Sequence, residues 1–360
     1  MRRSMRSRTL PLLLAAVALA GCGDREDRPA RIPTTEVSDA ALYGAPAEEN
    51  LRVVPVEVEV ENLPDGWDGM RIAAISDFNL GLWEGNARVA AAAVRTALAQ
   101  RPDVVVLLGD YIARGEHLST LERILAPLRG RLTLAVLGDR DKREEGELQG
   151  APDSAAMRLV QTLQRSGVVV LNNERGRLVR GGDTAYIAGL DPYVARKPEW
   201  RQAEIFASIP RTSRTPVLLS HMPAAVYAAP DSTYPLVLSG HTFCGRVEVP
   251  GTPRLSWVNT ELIPSPSLRI PGTDRLYRVD GNGLFITCGV GYGFVPVRLG
   301  APPEVALITL RRVGPATPAD TTRRPSVDSL LQQYEQTPVD ATGADTTAAR
   351  DTTAGRRTGT

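Results

Sequence analysis

The sequence is poor in aromatic residues, in histidine and in net charge. Phe, Trp and Tyr make up 5% of its 360 residues, so stacking surfaces for bases or sugars are not expected. The formal net charge at pH 7 is +1, which gives no electrostatic indication of a nucleic-acid or acidic partner. The sequence shows neither an internal repeat nor a glycine-rich nucleotide loop. These absences indicate a globular protein with no evident nucleic-acid partner.

The apolar run nearest the start of the chain is too short to span a membrane comfortably. This run, "LPLLLAAVALAG", follows the basic segment "MRRSMRSRT" and ends directly before Cys22. A small-residue cleavage site before a cysteine resembles the lipobox of bacterial lipoproteins; an ordinary secretory signal with a chance cysteine is the alternative. We expect residues 1–21 to be a signal peptide and Cys22 to carry lipid. The protein would then be anchored in the cell envelope of a bacterium, facing the periplasm or the exterior.

Only Cys244 and Cys288 lie outside the predicted anchor. In an oxidising envelope they could pair, provided that the fold brings their Cα atoms within about 7 Å. The alternative is two buried free thiols, which behave as small apolar side chains. Because nothing in the sequence brings the two cysteines together, we prefer the free thiols.

Between residues 51 and 312 the chain alternates strand-like and helical patterns. Short apolar runs such as "RIAAISD" and "DVVVLLGD" predict buried strands, whereas "NARVAAAAVRTALAQ" predicts a helix that Pro102 ends. This alternation favours an α/β fold around buried sheets. Residues 22–50 are predicted to be a flexible tether. Residues 313–360 are predicted to be a disordered tail, because their composition supplies too little apolar surface for folding.

Five strand-like runs end in a residue that can bind a metal ion. These residues are Asp77, Asp110, Asp139, His221 and His241. Because the carboxyl ends of strands line the binding crevice of α/β folds, we expect these side chains to converge. The third histidine of the chain, His117, lies in the charged segment "ARGEHLST" and is expected to be exposed.

The order of "ISDFNLG", "LLGDY", "LGDRD", "LSHMP" and "SGHTFCG" resembles the motifs of the calcineurin-like metallophosphoesterases, more narrowly of their membrane-associated bacterial branch. The resemblance covers roughly residues 51–312. It implies a four-layer α/β-β/α sandwich of two mixed sheets flanked by helices, with the motif loops at one edge. It also implies two neighbouring divalent cations that activate water and neutralise phosphoryl oxygens.

Residue by residue, the resemblance carries over in part. Four positions match metal ligands of the family: Asp77, Asp110 (the bridging aspartate), His221 and His241. Four positions depart: Asn79 replaces the histidine of D-x-H, Phe243 the second histidine of G-H-x-H, and Asp139 and Arg140 the asparagine and histidine of G-N-H-D. Asp110, Asp139, His221 and His241 are expected to hold the main cation. Asp77 and Asn79 would hold a second one weakly, since both histidines of that position are missing.

Arg140 stands where the family has a histidine that assists the leaving group or stabilises the transition state. Arginine can grip phosphate oxygens with two N–H groups, but it cannot donate a proton near neutral pH. Two roles are open for Arg140: a catalytic phosphate contact, or a salt bridge to Asp139 or Asp141. It could also act as the counter-cation of the converging carboxylates, which would otherwise raise one another's pKa values.

The resemblance implies a membrane-anchored hydrolase that cleaves a phosphate ester or pyrophosphate. Its cofactors would be one or two divalent ions (Mn, Zn, Fe or Mg), and its substrate a phosphorylated small molecule or lipid. The alternative is a degenerate, non-catalytic protein of the same fold that retains a metal- or phosphate-binding role. The joint loss of two ligands at one metal position and of the acid histidine favours this alternative.

Overall fold

The computed structural model describes residues 51–142, 154–192, 206, 215–245, 275–293, 296, 298 and 301–314. The predicted signal peptide, Cys22, the tether at residues 22–50 and the tail beyond residue 314 lie outside these ranges. No helix within the described part of the chain is long and apolar enough to cross a membrane.

The described strands form two six-stranded sheets. The first sheet contains β1 (Arg52–Glu61), β2 (Arg71–Ile75), β3 (Val104–Leu107), β4 (Thr133–Ala135), β5 (Val169–Val170) and β12 (Glu304–Val313). Its strand order is β1-β12-β2-β3-β4-β5. The strands from β2 to β5 run parallel, and β12 pairs in parallel with β1 and antiparallel with β2. The sheet is therefore mixed.

The second sheet contains β6 (Glu174–Arg180), β7 (Asp183–Gly189), β8 (Val217–Leu219), β9 (Leu236–Ser239), β10 (Leu276–Val279) and β11 (Asn282–Ile286). Its order is β10-β11-β9-β8-β7-β6. The four central strands are parallel, and the two edge strands, β6 and β10, pair antiparallel with their neighbours. This sheet is also mixed.

Four α-helices are described: α1 (Asn86–Ala99), α2 (Leu118–Leu125), α3 (Ser154–Arg165) and α4 (Ala225–Ala228). Short 3₁₀ turns lie at Asp65–Trp67, Ala126–Leu128 and Phe243–Gly245. The segment "LSTLERILAPLRG" is divided into α2 and a 3₁₀ turn, because Pro127 cannot donate the backbone hydrogen bond that a continuing helix needs.

The sheets pack face to face and carry helices on their outer sides. In β2, Ile72 and Ala74 enter the core between the sheets, whereas Ala73 and Ile75 pack against the helical layer of α1, α2 and α3. In β8, Val217 and Leu219 face inward and Leu218 packs with α4. Because successive side chains of a strand point to opposite faces of the sheet, each of these strands contributes to two cores. The order of the layers is therefore helices, first sheet, second sheet and helix. The predicted α/β fold of two mixed sheets flanked by helices is confirmed.

Two strands were absent from the sequence prediction, β6 and β10. Both lie at edges of the second sheet, where one side of a strand faces solvent. The β6 sequence "ERGRLVR" contains three arginines, so it lacks the apolar run that marked the central strands. The apolar signal is strong only where a strand is buried on both faces.

Candidate metal centre

The centre lies where parallel strands of both sheets end. Asp77, Asp110 and Asp139 follow β2, β3 and β4 of the first sheet, and His221 and His241 follow β8 and β9 of the second. In the described residues, four of these five side chains can each offer one ligand atom, and these atoms all lie within 4.8 Å of one another: Asp110, Asp139, His221 and His241. We call these four residues the ligand cluster.

Short distances join the members of the ligand cluster. His221 Nε2 lies 3.4 Å from Asp110 Oδ1 and 3.3 Å from Asp139 Oδ1. His241 Nδ1 lies 3.1 Å from Asp139 Oδ1 and 3.1 Å from His221 Nε2. The His221 and Asp110 side chains are fully buried, whereas those of Asp139 and His241 keep about 15% exposure. The cluster therefore opens to solvent on the side of Asp139 and His241.

The backbone fixes the orientation of His221. Its Nδ1 lies 2.7 Å from the carbonyl oxygen of Leu108, to which it donates. This bond leaves Nε2 directed at the two carboxylates. A histidine that donates one ring N–H to a carbonyl while presenting the other nitrogen is typical of metal-binding histidines.

Asp77 and Asn79 lie beside the ligand cluster rather than in it. Both side chains are fully buried. Asp77 Oδ2 accepts a hydrogen bond from the His241 amide (3.1 Å), and Asn79 Nδ2 donates to the Asp77 carbonyl (3.2 Å). Among the described residues, Asp77 Oδ1 has no hydrogen-bond partner. The predicted ligands of the second cation thus lie together, but Asn79 Oδ1 already accepts from Arg140 Nη1.

Arg140 lies against Asn79 and Asp110. Its Nη1 donates to Asn79 Oδ1, and its Nε lies 3.7 Å from Asp110 Oδ2. The contact with Asp110 fits the counter-cation role, one of the roles that the sequence left open for Arg140. About one third of the side chain remains exposed, so the guanidinium can also meet a ligand.

Opposing charges shift the pKa values in the centre. Burial lowers the pKa of His221, but the carboxylates of Asp110, Asp139 and Asp77 outweigh burial and raise it well above its ordinary value. Burial raises the pKa of Asp110, yet His221 outweighs it and leaves the net pKa below the ordinary range. Burial, followed by the charge of Asp110, raises the pKa of Asp77. Negative charge in the cluster is thus balanced by an imidazolium, whose place a metal cation can take.

The ligand cluster fits a divalent cation. Two carboxylates and two imidazoles suit zinc, manganese or iron, and the buried Oδ2 of Asp110 has only the distant Arg140 Nε as a counter-charge among the described residues. The neighbouring position fits less well, since the Phe243 ring offers no ligand atom and Asn79 Oδ1 is taken. Cys244 is no ligand either, because it forms a disulfide.

The family model described as "Calcineurin-like phosphoesterase" matches residues 70–245, which contain every residue of this centre. Over these residues the chain is similar to the calcineurin-like metallophosphoesterase superfamily. The superfamily resemblance of the five motifs is thereby confirmed.

Three relatives illustrate the similarity of this chain to known proteins. It is 27% identical over 286 residues to a transmembrane protein with metallophosphoesterase domain from Danio rerio, covering 76% of this chain and 60% of that protein. It is 29% identical over 272 residues to an uncharacterized metallophosphoesterase from Aquifex aeolicus, covering 73% and 93%. It is 27% identical over 231 residues to the phosphodiesterase YaeI of Escherichia coli, covering 61% and 74%. The chain thus spans 60% of the length of the zebrafish relative.

Asp141 holds the backbone around the ligand cluster in place, a role that sequence reasoning missed. Its carboxylate accepts hydrogen bonds from the backbone amides of Asp110 (2.8 Å), Tyr111 (2.9 Å), Ile112 (3.3 Å) and Gly138 (2.8 Å). It therefore ties the loop after β3 to the loop after β4. Burial and the charge of Asp110 raise its pKa to about 7. The signal was available, because Asp141 is the last residue of the quoted motif "LGDRD".

Asn86 was also missed, although it positions Asn79. Its Nδ2 donates to the carbonyls of Asn79 (2.8 Å) and Tyr292 (2.9 Å), and its Oδ1 accepts from the Tyr292 amide (2.7 Å). The residue lies at the first position of α1 and is fully buried. Its partner Tyr292 is 206 positions away in the sequence, so no local pattern could have indicated the contact.

Most loops of the centre adopt a left-handed backbone. Positive φ values occur at Asp77 (61°), Asn79 (50°), Asp110 (57°), His241 (68°) and Phe243 (53°). This conformation is unfavourable for residues other than glycine and concentrates at functional sites. The adjacent Gly240 allows the close approach, since a Cβ there would lie 2.0 Å from Ser76 Oγ and 2.8 Å from Asp77 Oδ2.

Cys244 and Cys288 form a disulfide, which corrects the expectation of two free thiols. Cys244 follows the His241 loop and Cys288 follows β11, which is the parallel neighbour of β9. Neighbouring parallel strands end at the same edge, so the fold brings the two Cα atoms to 4.7 Å. The bond ties the loop that carries His241 to the second sheet.

His117 is not simply exposed, as the sequence suggested. It precedes α2, is half-buried beside Gly81 and Gly115, and burial lowers its pKa. It lies outside the ligand cluster, so it provides a matched control for histidine substitutions there.

Proposed function

We propose that this protein hydrolyses phosphate esters, including phosphodiesters, at the ligand cluster. The observation that carries the proposal is the convergence of Asp110, Asp139, His221 and His241 at the open edge of both sheets. The match to the calcineurin-like phosphoesterase model and the similarity to a phosphodiesterase of E. coli support it. Pyrophosphate remains a candidate substrate, and so does a phosphorylated lipid.

Each side chain has a defined task in the proposed reaction. The ligand cluster would hold one divalent cation, with His221 oriented by the Leu108 carbonyl. When bound, such a cation would supply Lewis-acid activation of water and of a phosphoryl oxygen. Arg140, whose side chain remains about one third exposed, would bind the non-bridging phosphoryl oxygens. Because Arg140 cannot supply a proton near neutral pH, the leaving group takes its proton from solvent.

Hydrolysis of bis(p-nitrophenyl) phosphate by the purified full chain, supplemented with Mn²⁺, tests the proposal. The His221→Gln and Asp110→Asn variants should each lose activity by about 100-fold or more, since even residues that only orient metal ligands contribute about 10- to 100-fold. The matched His117→Gln variant should retain it. Activity that survives Asp110→Asn would contradict this site assignment.

A second candidate function is binding without catalysis. The specific observation in its favour is that Asn79, Arg140 and Phe243 together replace three histidines of the family pattern. Under this alternative the metal-loaded protein binds inorganic phosphate but releases no p-nitrophenol from any ester tested. Turnover that is lost in His221→Gln and kept in His117→Gln would exclude it.

We also propose that the protein is anchored by lipid at Cys22 to a bacterial membrane and faces the periplasm or the exterior. The lipobox-like sequence before Cys22 supports this, and the Cys244–Cys288 disulfide suits an oxidising compartment. Mass spectrometry of the N-terminal peptide should show a cleaved, acylated Cys22, and Cys22→Ala should move the protein to the soluble fraction. An unmodified residue 22 in the membrane-purified protein would contradict the anchor.

A further inference from the structure

The guanidinium of Arg140 lies at the place where the ligand cluster meets Asp77 and Asn79. Its Nη1 donates to Asn79 Oδ1, its Nε lies 3.7 Å from Asp110 Oδ2, and its central carbon lies 5.8 Å from the Phe243 ring centroid. The Arg140 amide also donates to Asp110 Oδ1 (3.1 Å). Backbone and side chain therefore fix Arg140 against the same carboxylate.

The two oxygens of the Asp110 carboxylate face different parts of the centre. Its Oδ1 faces His221 Nε2 at 3.4 Å, within the ligand cluster, and its Oδ2 faces the guanidinium. The side chain is fully buried, so each oxygen needs a nearby positive group. A cation held by the ligand cluster would neutralise Oδ1. The guanidinium of Arg140, which is always protonated, neutralises Oδ2.

Little remains to hold a second cation on the Arg140 side. The Asn79 amide nitrogen donates to the Asp77 carbonyl, and its oxygen accepts from Arg140. The Phe243 ring has no ligand atom, so within the described ranges the candidate ligands left there are Asp77 and the shared oxygen of Asp110. A dication bound by these two would lie directly beside a fixed positive charge, which opposes its binding.

We infer that this centre binds one divalent cation, and that the Arg140 guanidinium takes the place of the second cation of related centres. It neutralises Asp110 and presents its remaining N–H groups to a phosphoryl oxygen. Asn79 and Phe243 belong to the same adaptation, because a neutral acceptor and an aromatic face accommodate a guanidinium better than two imidazoles would. This inference deepens the proposed function and rests on it.

The stoichiometry of metal binding tests the inference. Full-length protein stripped with chelator and titrated with Mn²⁺ should bind one equivalent per chain, by calorimetry and by elemental analysis after desalting. The matched control Arg158→Ala, which removes an exposed arginine of α3, should also bind one. The triple variant Asn79→His/Arg140→His/Phe243→His should bind two. Two equivalents in the unaltered chain would overturn the inference, whether or not the triple variant folds.

The affinity of the Mn²⁺-loaded protein for inorganic phosphate provides a second measurement. Arg140→Ala should keep one equivalent of Mn²⁺ and weaken phosphate binding by about 10-fold or more, the value expected for a lost charge-assisted hydrogen bond. Arg158→Ala should change neither. Unchanged phosphate affinity in Arg140→Ala would contradict the proposed phosphoryl contact.

Hydrolysis measured on the same samples separates this inference from the proposed function. Two equivalents of Mn²⁺ with turnover would contradict the single-cation centre and leave the function standing. One equivalent without turnover would contradict the function and leave the stoichiometry standing. A chain that binds no Mn²⁺ would contradict both.

Discussion

Substitution of Asn86 by alanine should destabilise the whole domain, although the residue never touches the ligand cluster. The change removes three hydrogen bonds, to the carbonyls of Asn79 and Tyr292 and from the Tyr292 amide. The Asn79 carbonyl keeps the bond that it accepts from the Leu82 amide (3.2 Å), so the two Tyr292 groups lose their partner. A buried polar group that loses its hydrogen bond costs about 1 to 3 kcal/mol, so the gross loss is about 2 to 6 kcal/mol. The higher helix propensity of alanine at the start of α1 offsets at most about 0.7 kcal/mol of this loss.

We therefore expect a net loss of about 1.5 to 5 kcal/mol for Asn86→Ala, a large part of the 5 to 15 kcal/mol typical of a folded domain. Urea denaturation followed by circular dichroism measures it as a lower midpoint with an unchanged slope. Thr96→Ala, on the same helix and without such contacts among the described residues, should stay within about 0.5 kcal/mol. A loss below about 1 kcal/mol for Asn86→Ala would refute the reasoning, because the three bonds could then not be formed in solution.

Three further predictions concern the disulfide, the glycine before His241 and the cation. Reduction, or serine at both Cys244 and Cys288, should cost about 2 to 4 kcal/mol of unfolding free energy, since the bond closes a loop with a sequence separation of 44; an unchanged urea midpoint would contradict this. Gly240→Ala should cost about 1 to 3 kcal/mol because its Cβ would lie 2.0 Å from Ser76 Oγ. Gly176→Ala, whose Cβ would lie 3.8 Å from its nearest atoms, should not show this steric destabilisation in the same urea denaturation experiment. Mn²⁺ at about 100 times its Kd should stabilise the unaltered chain by about 2.7 kcal/mol, reversibly with EDTA, and should stabilise His221→Gln far less.

Sequence patterns predicted the parts of the centre that depend on strand topology. Asp110, Asp139, His221 and His241 each follow a buried parallel strand, and such strands end at one edge of their sheet. The residues and their convergence could therefore be inferred from local runs alone. The edge strands β6 and β10 could not, because β6 carries three arginines and β10 is only four residues long.

Contacts between distant segments were beyond reach of the sequence. The pairing of Cys244 with Cys288 depends on β9 and β11 being neighbours, which no local pattern encodes. The same holds for Asn86 with Tyr292. The direction of Arg140 depends on how the loop after β4 packs against the end of β2, so the sequence did not indicate its contact with Asn79.

The asymmetry of the centre follows from a few side chains acting together. One half keeps four ligand atoms within 4.8 Å of one another. The other half holds Arg140 against Asn79 and Asp110, beside the Phe243 ring. A fixed organic cation beside a metal site can still bind a phosphoryl group, so loss of ligands on one side does not by itself abolish hydrolysis.

Anomalous diffraction from crystals of the protein grown with Mn²⁺ tests the central claim most directly. The account predicts one anomalous peak at metal–ligand distance from Asp110, Asp139, His221 and His241, and no second peak between Asp77 and Asn79. A peak outside the ligand cluster, or two peaks that share Asp110 with Arg140 displaced, would contradict it.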